Sequence, residues 1–145
     1  LAFVPNATTA YRLILSELDL HRGDVVITSD QEHPSTLQAL DSMKQRGIEL
    51  IVIPASSEGS FLSRLDEVCN ERRTRLISLS HVAHSDGRVF SLPQVCTIAK
   101  RRHVMLAVDG AQAVGHVPVD IGTLGVDFYF SQVISGVPVP WGLEH

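Results

Sequence analysis

The chain has 145 residues, of which 44% are hydrophobic and 19% are charged, a composition typical of one globular domain rather than a disordered protein. Lys and Arg number 12 against 16 Asp and Glu, and the resulting net charge of -4 weighs against a nucleic-acid-binding surface. Since no apolar run approaches the ~20 residues of a membrane span, no membrane partner is predicted.

Cysteine usage and the chain ends bear on location and domain bounds. Cys69 and Cys96 lack CxxC spacing and predict reduced thiols in a cytoplasmic protein, and no signal peptide is visible. Residues 143–145, LEH, resemble the start of a vector-encoded histidine tag, so we expect them to be a tag remnant. Residues 1–142 are then predicted to belong to one domain.

Helix-like and strand-like segments alternate along the chain. Apolar residues at helical spacing predict a helix over 8–18, and the run DVVIT predicts a strand over 24–28. Pro34 in the first turn and Gly47 just beyond the end bound a helix over 34–46. The remaining segments, in chain order, are a strand over 48–54, a helix over 61–73, a strand over 74–81, a helix over 92–103 and strands over 104–109 and 126–131.

The predicted strands are apolar on both faces and alternate with helices. This pattern indicates a mainly parallel sheet with helices on both faces, a three-layer α/β/α domain. In such sheets ligands bind beyond the carboxyl ends of the strands. The polar residues that follow strand ends are therefore the candidate site residues: His33, His84, Asp109, Gln112 and Ser131.

Four segments resemble the class V aminotransferases, fold-type-I enzymes that depend on pyridoxal phosphate (PLP). The class includes cysteine desulfurases, selenocysteine lyases and isopenicillin N epimerase-like proteins. The segments are PNATTA, EHPS, SHVAHSDGRVFSLP and VDGAQAVGHVPVDIGTLGVDFYFS, which lie between residues 5 and 131, and the last is the most specific. The resemblance implies that PLP is the cofactor of the parent family and that this chain is the central part of its large domain.

The resemblance assigns cofactor contacts to the residues after the fourth predicted strand. Asp109 matches the buried carboxylate that favours a protonated pyridine nitrogen, the state in which PLP is the stronger electron sink. Gln112 matches the residue that hydrogen-bonds the ring oxygen, and Gly110 and Ala111 are expected to leave room for that approach. The alternative for Asp109 is a strand-ending aspartate that caps the next turn.

Further contacts are implied nearer the N-terminus and at the end of the motif. His33 matches the histidine that stacks on the ring face, with an N-cap-like loop histidine as the alternative. The backbone around Ala7 and Thr8 opens the first predicted helix, and a helix N-terminus suits a phosphate. Taken alone, NATT is only an N-cap signal. Ser131 matches a further phosphate ligand.

His84 departs from the pattern of many relatives, which read SHVSNxxG with an asparagine that contacts the ring oxygen. Imidazole can replace one hydrogen bond, so His84 is kept as a cofactor contact, but the change weakens the inference of a desulfurase function. His81 and His84 also form an HxxH pair. Because no third ligand is evident, no metal site is predicted.

The family continues with S-x-H-K-W-x-x-G-P-x-G, whose lysine forms the Schiff base with PLP, whereas this chain reads SQVISGVPVPWG. Ile134 stands at the lysine position, so no catalytic residue is predicted. The codons CAG GTC ATA AGT GG, starting at Gln132, give GGT CAT AAG TGG when read from the third base, which encodes G-H-K-W. A frame-shifted tail from about residue 132 is the resulting hypothesis, and coincidence among degenerate codons is the alternative.

Together these features predict a truncated, catalytically inactive class V aminotransferase-like domain, whose parent acts on the amino group or the Cβ or Cγ atom of an amino acid. Weak or no PLP binding and no turnover are expected of the chain itself. The alternatives are a non-enzymatic binding or assembly protein that reuses the fold, and an enzyme completed by another chain. Because open strand edges and apolar faces seldom stay unpaired, a homo-oligomer is expected, a dimer or larger.

Overall fold

The computed structural model describes residues 1–132, which form a three-layer α/β/α domain. Its centre is a sheet of five strands, all parallel, in the order β2-β1-β3-β4-β5. The strands are β1 (Val25–Ser29), β2 (Glu49–Ile53), β3 (Thr74–Ser80), β4 (Met105–Asp109) and β5 (Phe128–Phe130). The predicted fold class is therefore confirmed, and each strand overlaps its predicted segment.

Helices connect the strands, and four of them coincide closely with the predicted segments. The structure adds two short elements, a 3-10 helix and α5. The 3-10 helix continues α2 as far as Gly47, whose φ of 78° lies in the left-handed region that ends helices. With four residues, α5 is too short to show a periodic pattern. The helices are α1 (Ala7–Glu17), α2 (Pro34–Ser42), the 3-10 helix (Met43–Arg46), α3 (Glu58–Glu71), α4 (Leu92–Arg102) and α5 (Ile121–Leu124).

Two apolar cores cover the two faces of the sheet. On one face α3 and α4 pack through residues such as Leu65 and Val95. On the other face α1 and α2 pack through Tyr11 and Leu40. Every residue of β1 is buried, as expected of a central strand, whereas β2 at the edge is partly exposed.

The strand order places a crevice at the carboxyl edge of the sheet. After β1 the chain crosses to β2 on one side, and it then returns to β3 on the other side of β1. Connections that diverge in this way leave a crevice between the two strand ends, where open parallel sheets bind ligands. His33 follows β1 and His84 follows β3, so the topology brings both residues to this crevice.

Part of the sequence interpretation falls on residues outside the described range. Ile134, the tail from residue 133 and the segment 143–145 all lie there, so the lysine replacement, the frame shift and the tag remnant stay predictions. Within residues 1–132, no helix combines the length and the apolar character needed to cross a membrane.

Candidate functional site

An open cleft lies beyond the carboxyl ends of β3 and β4. The N-terminal residues of α1 and α2 form its other wall. Six of the seven predicted cofactor contacts line the cleft: Ala7, Thr8, His33, His84, Asp109 and Gln112.

The N-termini of α1 and α2 meet at one end of the cleft. The Asn6 side chain accepts a hydrogen bond from the Thr9 N–H at 2.8 Å and so fixes the start of α1. The hydroxyls of Thr8 and Ser35, one from each helix, lie 3.5 Å apart. Two helix N-termini bring free N–H groups and positive potential to this end, which therefore suits an anion such as a phosphate.

His33 is both a helix cap and a residue of the cleft. Its Nδ1 accepts a hydrogen bond from the Ser35 N–H at 3.2 Å, which makes it the N-cap of α2. In the neutral ring this bond leaves the proton on Nε2. The ring meets the His84 ring edge-on, with centroids 4.6 Å apart and an interplanar angle of 73°. His33 thus caps α2, as the alternative predicted, and also lines the cleft.

Asp109 ends β4 and is half-buried at the cleft wall. Its Oδ1 accepts a hydrogen bond from the Ala111 N–H at 2.8 Å, so the predicted turn cap is present. One such bond leaves the carboxylate with free acceptor sites. Burial raises the pKa of Asp109, while the Ala111 N–H and the nearby His33 ring oppose the rise. A protonated group bound in the cleft would favour the ionised carboxylate.

Ser131 and Gly110 make contacts within the protein itself. The Ser131 hydroxyl donates to the Gly110 carbonyl at 3.1 Å, and Ser131 does not line the cleft, so its phosphate contact stays a prediction. The room that Gly110 is expected to leave for the cofactor stays a prediction. A Cβ atom at Gly110 would overlap the Tyr129 ring, so the missing side chain makes room for the protein's own packing.

Several polar residues of the site escape the sequence interpretation. Glu32 is buried and binds the hydroxyls of Ser29 and Ser80. The Tyr129 hydroxyl lies 3.0 Å from Nδ1 of His81, so this histidine is bonded to β5. The sequence signal of Glu32 and Tyr129 is weak, because an acidic residue in a loop is usually solvated and an aromatic residue in a strand usually belongs to the core.

A family model described as Aminotransferase class-V matches residues 1–133. The chain belongs to the class-V aminotransferase family. The resemblance seen in the four sequence segments is thereby confirmed, and the match spans all the residues that line the cleft.

Curated relatives of this class-V aminotransferase chain include cysteine desulfurases. The enzyme of Shigella sonnei is 33% identical over 140 residues, which are 94% of this chain and 34% of the relative. A probable cysteine desulfurase of Methanothermobacter thermautotrophicus is 28% identical over 130 residues, which are 88% of this chain and 32% of the relative. The chain thus spans about a third of the length of the curated relatives that it matches.

Solved structures of the class share the same arrangement of strands and helices. The apo structure of the cysteine desulfurase from Thermococcus onnurineus NA1 matches with a TM-score of 0.80 and 27% identity, over 88% of this chain and 32% of that one. A mutant of C-DES with glycine covalently linked to its PLP cofactor matches with a TM-score of 0.76 and 29% identity, over 87% and 34%. The described residues are therefore part of a PLP-transferase large domain.

Proposed function

We propose that this chain carries the ring-binding and phosphate-binding wall of a PLP site of the cysteine desulfurase type. The observation that carries the proposal is the cleft itself. A half-buried carboxylate, Asp109, lines the same space as the His33 ring and the N-terminus of α1. These groups come from β4, from the loop after β1 and from the start of the chain, so only the fold brings them together.

The residues of the cleft fit the chemical groups of PLP. The cofactor, when bound, supplies an electron sink for reactions at an amino acid. In this chain the Asp109 carboxylate can accept a hydrogen bond from a protonated pyridine nitrogen, and the His33 ring offers a flat face to the pyridine. Gln112 is exposed at the same wall and offers an amide toward ring substituents. The joined N-termini of α1 and α2 suit the phosphate.

The chain holds two lysines, Lys44 and Lys100, and neither serves the cleft. Lys44 belongs to the 3-10 helix before β2 and pairs with Asp41 at 2.6 Å. Lys100 lies in the last turn of α4, just before β4 begins. Both therefore lie near the amino edge of the sheet, about 15 Å from the carboxyl edge for strands of five residues. We infer that the chain binds PLP weakly, reversibly and without turnover.

The proposal extends to the activity of any longer protein that contains this segment. The matched curated relatives are cysteine desulfurases, so we propose that such a protein acts on cysteine or a related amino acid. Its lysine and its substrate contacts would come from residues other than those described. Self-association and a cytoplasmic location remain predictions.

The phosphate end of the site predicts a difference between two ligands without an aldehyde. We expect pyridoxine phosphate to bind at least about tenfold more tightly than pyridoxine, because hydrogen bonds to a charged group contribute about 1.5–3 kcal/mol. Isothermal titration calorimetry measures both affinities. Thr8→Val should weaken the binding of pyridoxine phosphate and leave the binding of pyridoxine unchanged. Thr9→Val is the matched control, since Thr9 does not line the cleft. Equal affinities for the two ligands, or no binding of either, would contradict the proposal.

A further inference from the structure

Glu32 is a buried acid whose bonds are made to hydroxyl groups rather than to a basic side chain. It is 5% exposed. The Ser29 hydroxyl donates to Oε1 at 2.6 Å, and the Ser80 hydroxyl donates to Oε2, also at 2.6 Å. Since Ser29 ends β1 and Ser80 ends β3, one carboxyl group joins the two central strands at the edge of the crevice.

This arrangement is unfavourable for the acid itself. Burial raises the pKa of Glu32, the two serine hydroxyls oppose the rise, and the charge of Asp109 adds to it. Ser80, which binds the Glu32 carboxyl, pairs with Asp109 in the register of β3 and β4. The two carboxyl groups are therefore neighbours at the carboxyl edge of the sheet. Burying a carboxylate without a paired positive charge costs free energy. Glu32 therefore calls for a reason other than core packing.

The neighbours of Glu32 supply that reason. His33 follows it directly, caps α2 and meets the His84 ring across the cleft wall. His84 follows β3, the strand whose end Glu32 binds through Ser80. The two rings thus come from separate loops, one after β1 and one after β3. The Glu32 carboxyl bonds the bases of these loops to each other, and the Ser85 hydroxyl donates a second bond between them, to the Gln31 side chain.

We propose that Glu32 is a positioning residue, which ties the loop after β1 to the end of β3 and so holds the His33 ring against His84 at the face where a pyridine ring would lie. This inference rests on the proposed PLP function for its ligand. The geometry of the two imidazoles, however, is a property of the protein alone and can be measured without any cofactor.

The test compares three variants by two readouts. Glu32→Ala removes this link and leaves the Gln31–Ser85 bond in place, and Glu32→Gln keeps the shape and one acceptor oxygen. Ser29→Ala removes one of the two donors to Glu32, together with the bond that the Ser29 oxygen accepts from the Gln31 N–H at 3.2 Å, and Ser29 does not line the cleft. The first readout is the NMR cross-relaxation between carbon-bound ring protons of His33 and His84 in ligand-free protein. The second is the affinity for pyridoxine phosphate.

Ser78→Ala is the matched control. Ser78 lies two residues before Ser80 on the same strand, is also buried, and bonds the Tyr11 hydroxyl at 2.7 Å instead of Glu32. We expect it to lower the melting temperature while leaving the His33–His84 contact and the affinity unchanged. A merely structural role for Glu32 would give that same result for Glu32→Ala.

We expect Glu32→Ala to lose the His33–His84 cross-relaxation and to bind pyridoxine phosphate about tenfold more weakly. Glu32→Gln should retain the cross-relaxation and the affinity close to wild type. Ser29→Ala should give values of both between those of the wild type and Glu32→Ala, so it tests the proposal even if Glu32→Ala does not fold. An unchanged ring contact in Glu32→Ala or Ser29→Ala, or no contact in the wild type, would overturn the proposal. If the wild type shows the contact but binds no ligand, only the proposed PLP function fails.

Discussion

Asp109→Asn is expected to weaken the binding of pyridoxine phosphate by roughly 10- to 100-fold, since a charge-assisted hydrogen bond contributes about 1.5–3 kcal/mol. The Asp109 carboxylate lines the cleft and keeps acceptor sites beyond the one that the Ala111 N–H occupies. An amide of the same shape preserves this turn bond, but it carries no charge to balance a protonated pyridine nitrogen. Titration calorimetry of the two proteins measures the difference.

The same substitution is expected to stabilise the ligand-free protein at neutral pH. Burial raises the pKa of Asp109, so the folded state binds this proton more tightly than the unfolded state does. The free energy of unfolding contributed by this group is then full below the unfolded-state pKa of about 3.9, and it is lost as the pH rises through the folded-state pKa. Because the asparagine side chain does not ionise, urea unfolding at a series of pH values should show a flatter profile for Asp109→Asn.

Asp127→Asn is the matched control for Asp109→Asn. Asp127 also accepts a backbone hydrogen bond, from the Leu106 N–H at 2.8 Å, but it does so near the amino end of β4, away from the cleft. Its replacement should leave the affinity for pyridoxine phosphate unchanged. Equal affinities for Asp109→Asn and the wild type would show that Asp109 does not hold the ring.

Gly110→Ala is expected to lower the free energy of unfolding by about 1–3 kcal/mol, the usual cost of overpacking a filled site. The added Cβ atom would overlap the Tyr129 ring. That ring cannot swing away freely, because its hydroxyl is bonded to Nδ1 of His81 at 3.0 Å. Denaturant unfolding measures the loss.

Gly59→Ala controls for the general effect of replacing glycine. Gly59 is in the first turn of α3, and a methyl group there would point into open space, without contact beyond its own turn. The control should be neutral or stabilising by up to about 1 kcal/mol, because alanine is the better helix former. Adding Tyr129→Leu to Gly110→Ala should recover part of the loss in a double-mutant cycle. Unfolding of Gly110→Ala at the same denaturant concentration as Gly59→Ala would contradict the overlap with Tyr129.

The local elements of the fold could be predicted from the sequence because their signals are local. Apolar runs mark all five strands, and Pro34 and Gly47 bound the second helical segment through their backbone preferences. The order β2-β1-β3-β4-β5 was not predicted, since it depends on pairings between residues far apart in the chain, such as Val26 with Leu76. The helix α5 has too few residues for a periodic signal.

The candidate site divides in the same way. His33, His84 and Asp109 could be placed at the site because they follow strand ends, and the parallel topology brings such ends to one edge. Glu32 could not, because one of the residues that its carboxyl binds, Ser80, lies 48 residues away in the chain. The packing of Tyr129 against Gly110 is likewise a contact between strands, which a residue-by-residue interpretation does not contain.

The most direct test of the central claim is a titration with PLP, followed by borohydride reduction at one equivalent and intact-mass measurement. We expect a saturable change in the PLP absorption spectrum, which shows binding at one site. We also expect an unmodified protein mass after reduction. Reduction would trap any Schiff base to a lysine as a stable adduct. A stoichiometric adduct on Lys44 or Lys100, or no saturable binding at all, would contradict the claim that this chain holds PLP by non-covalent contacts alone.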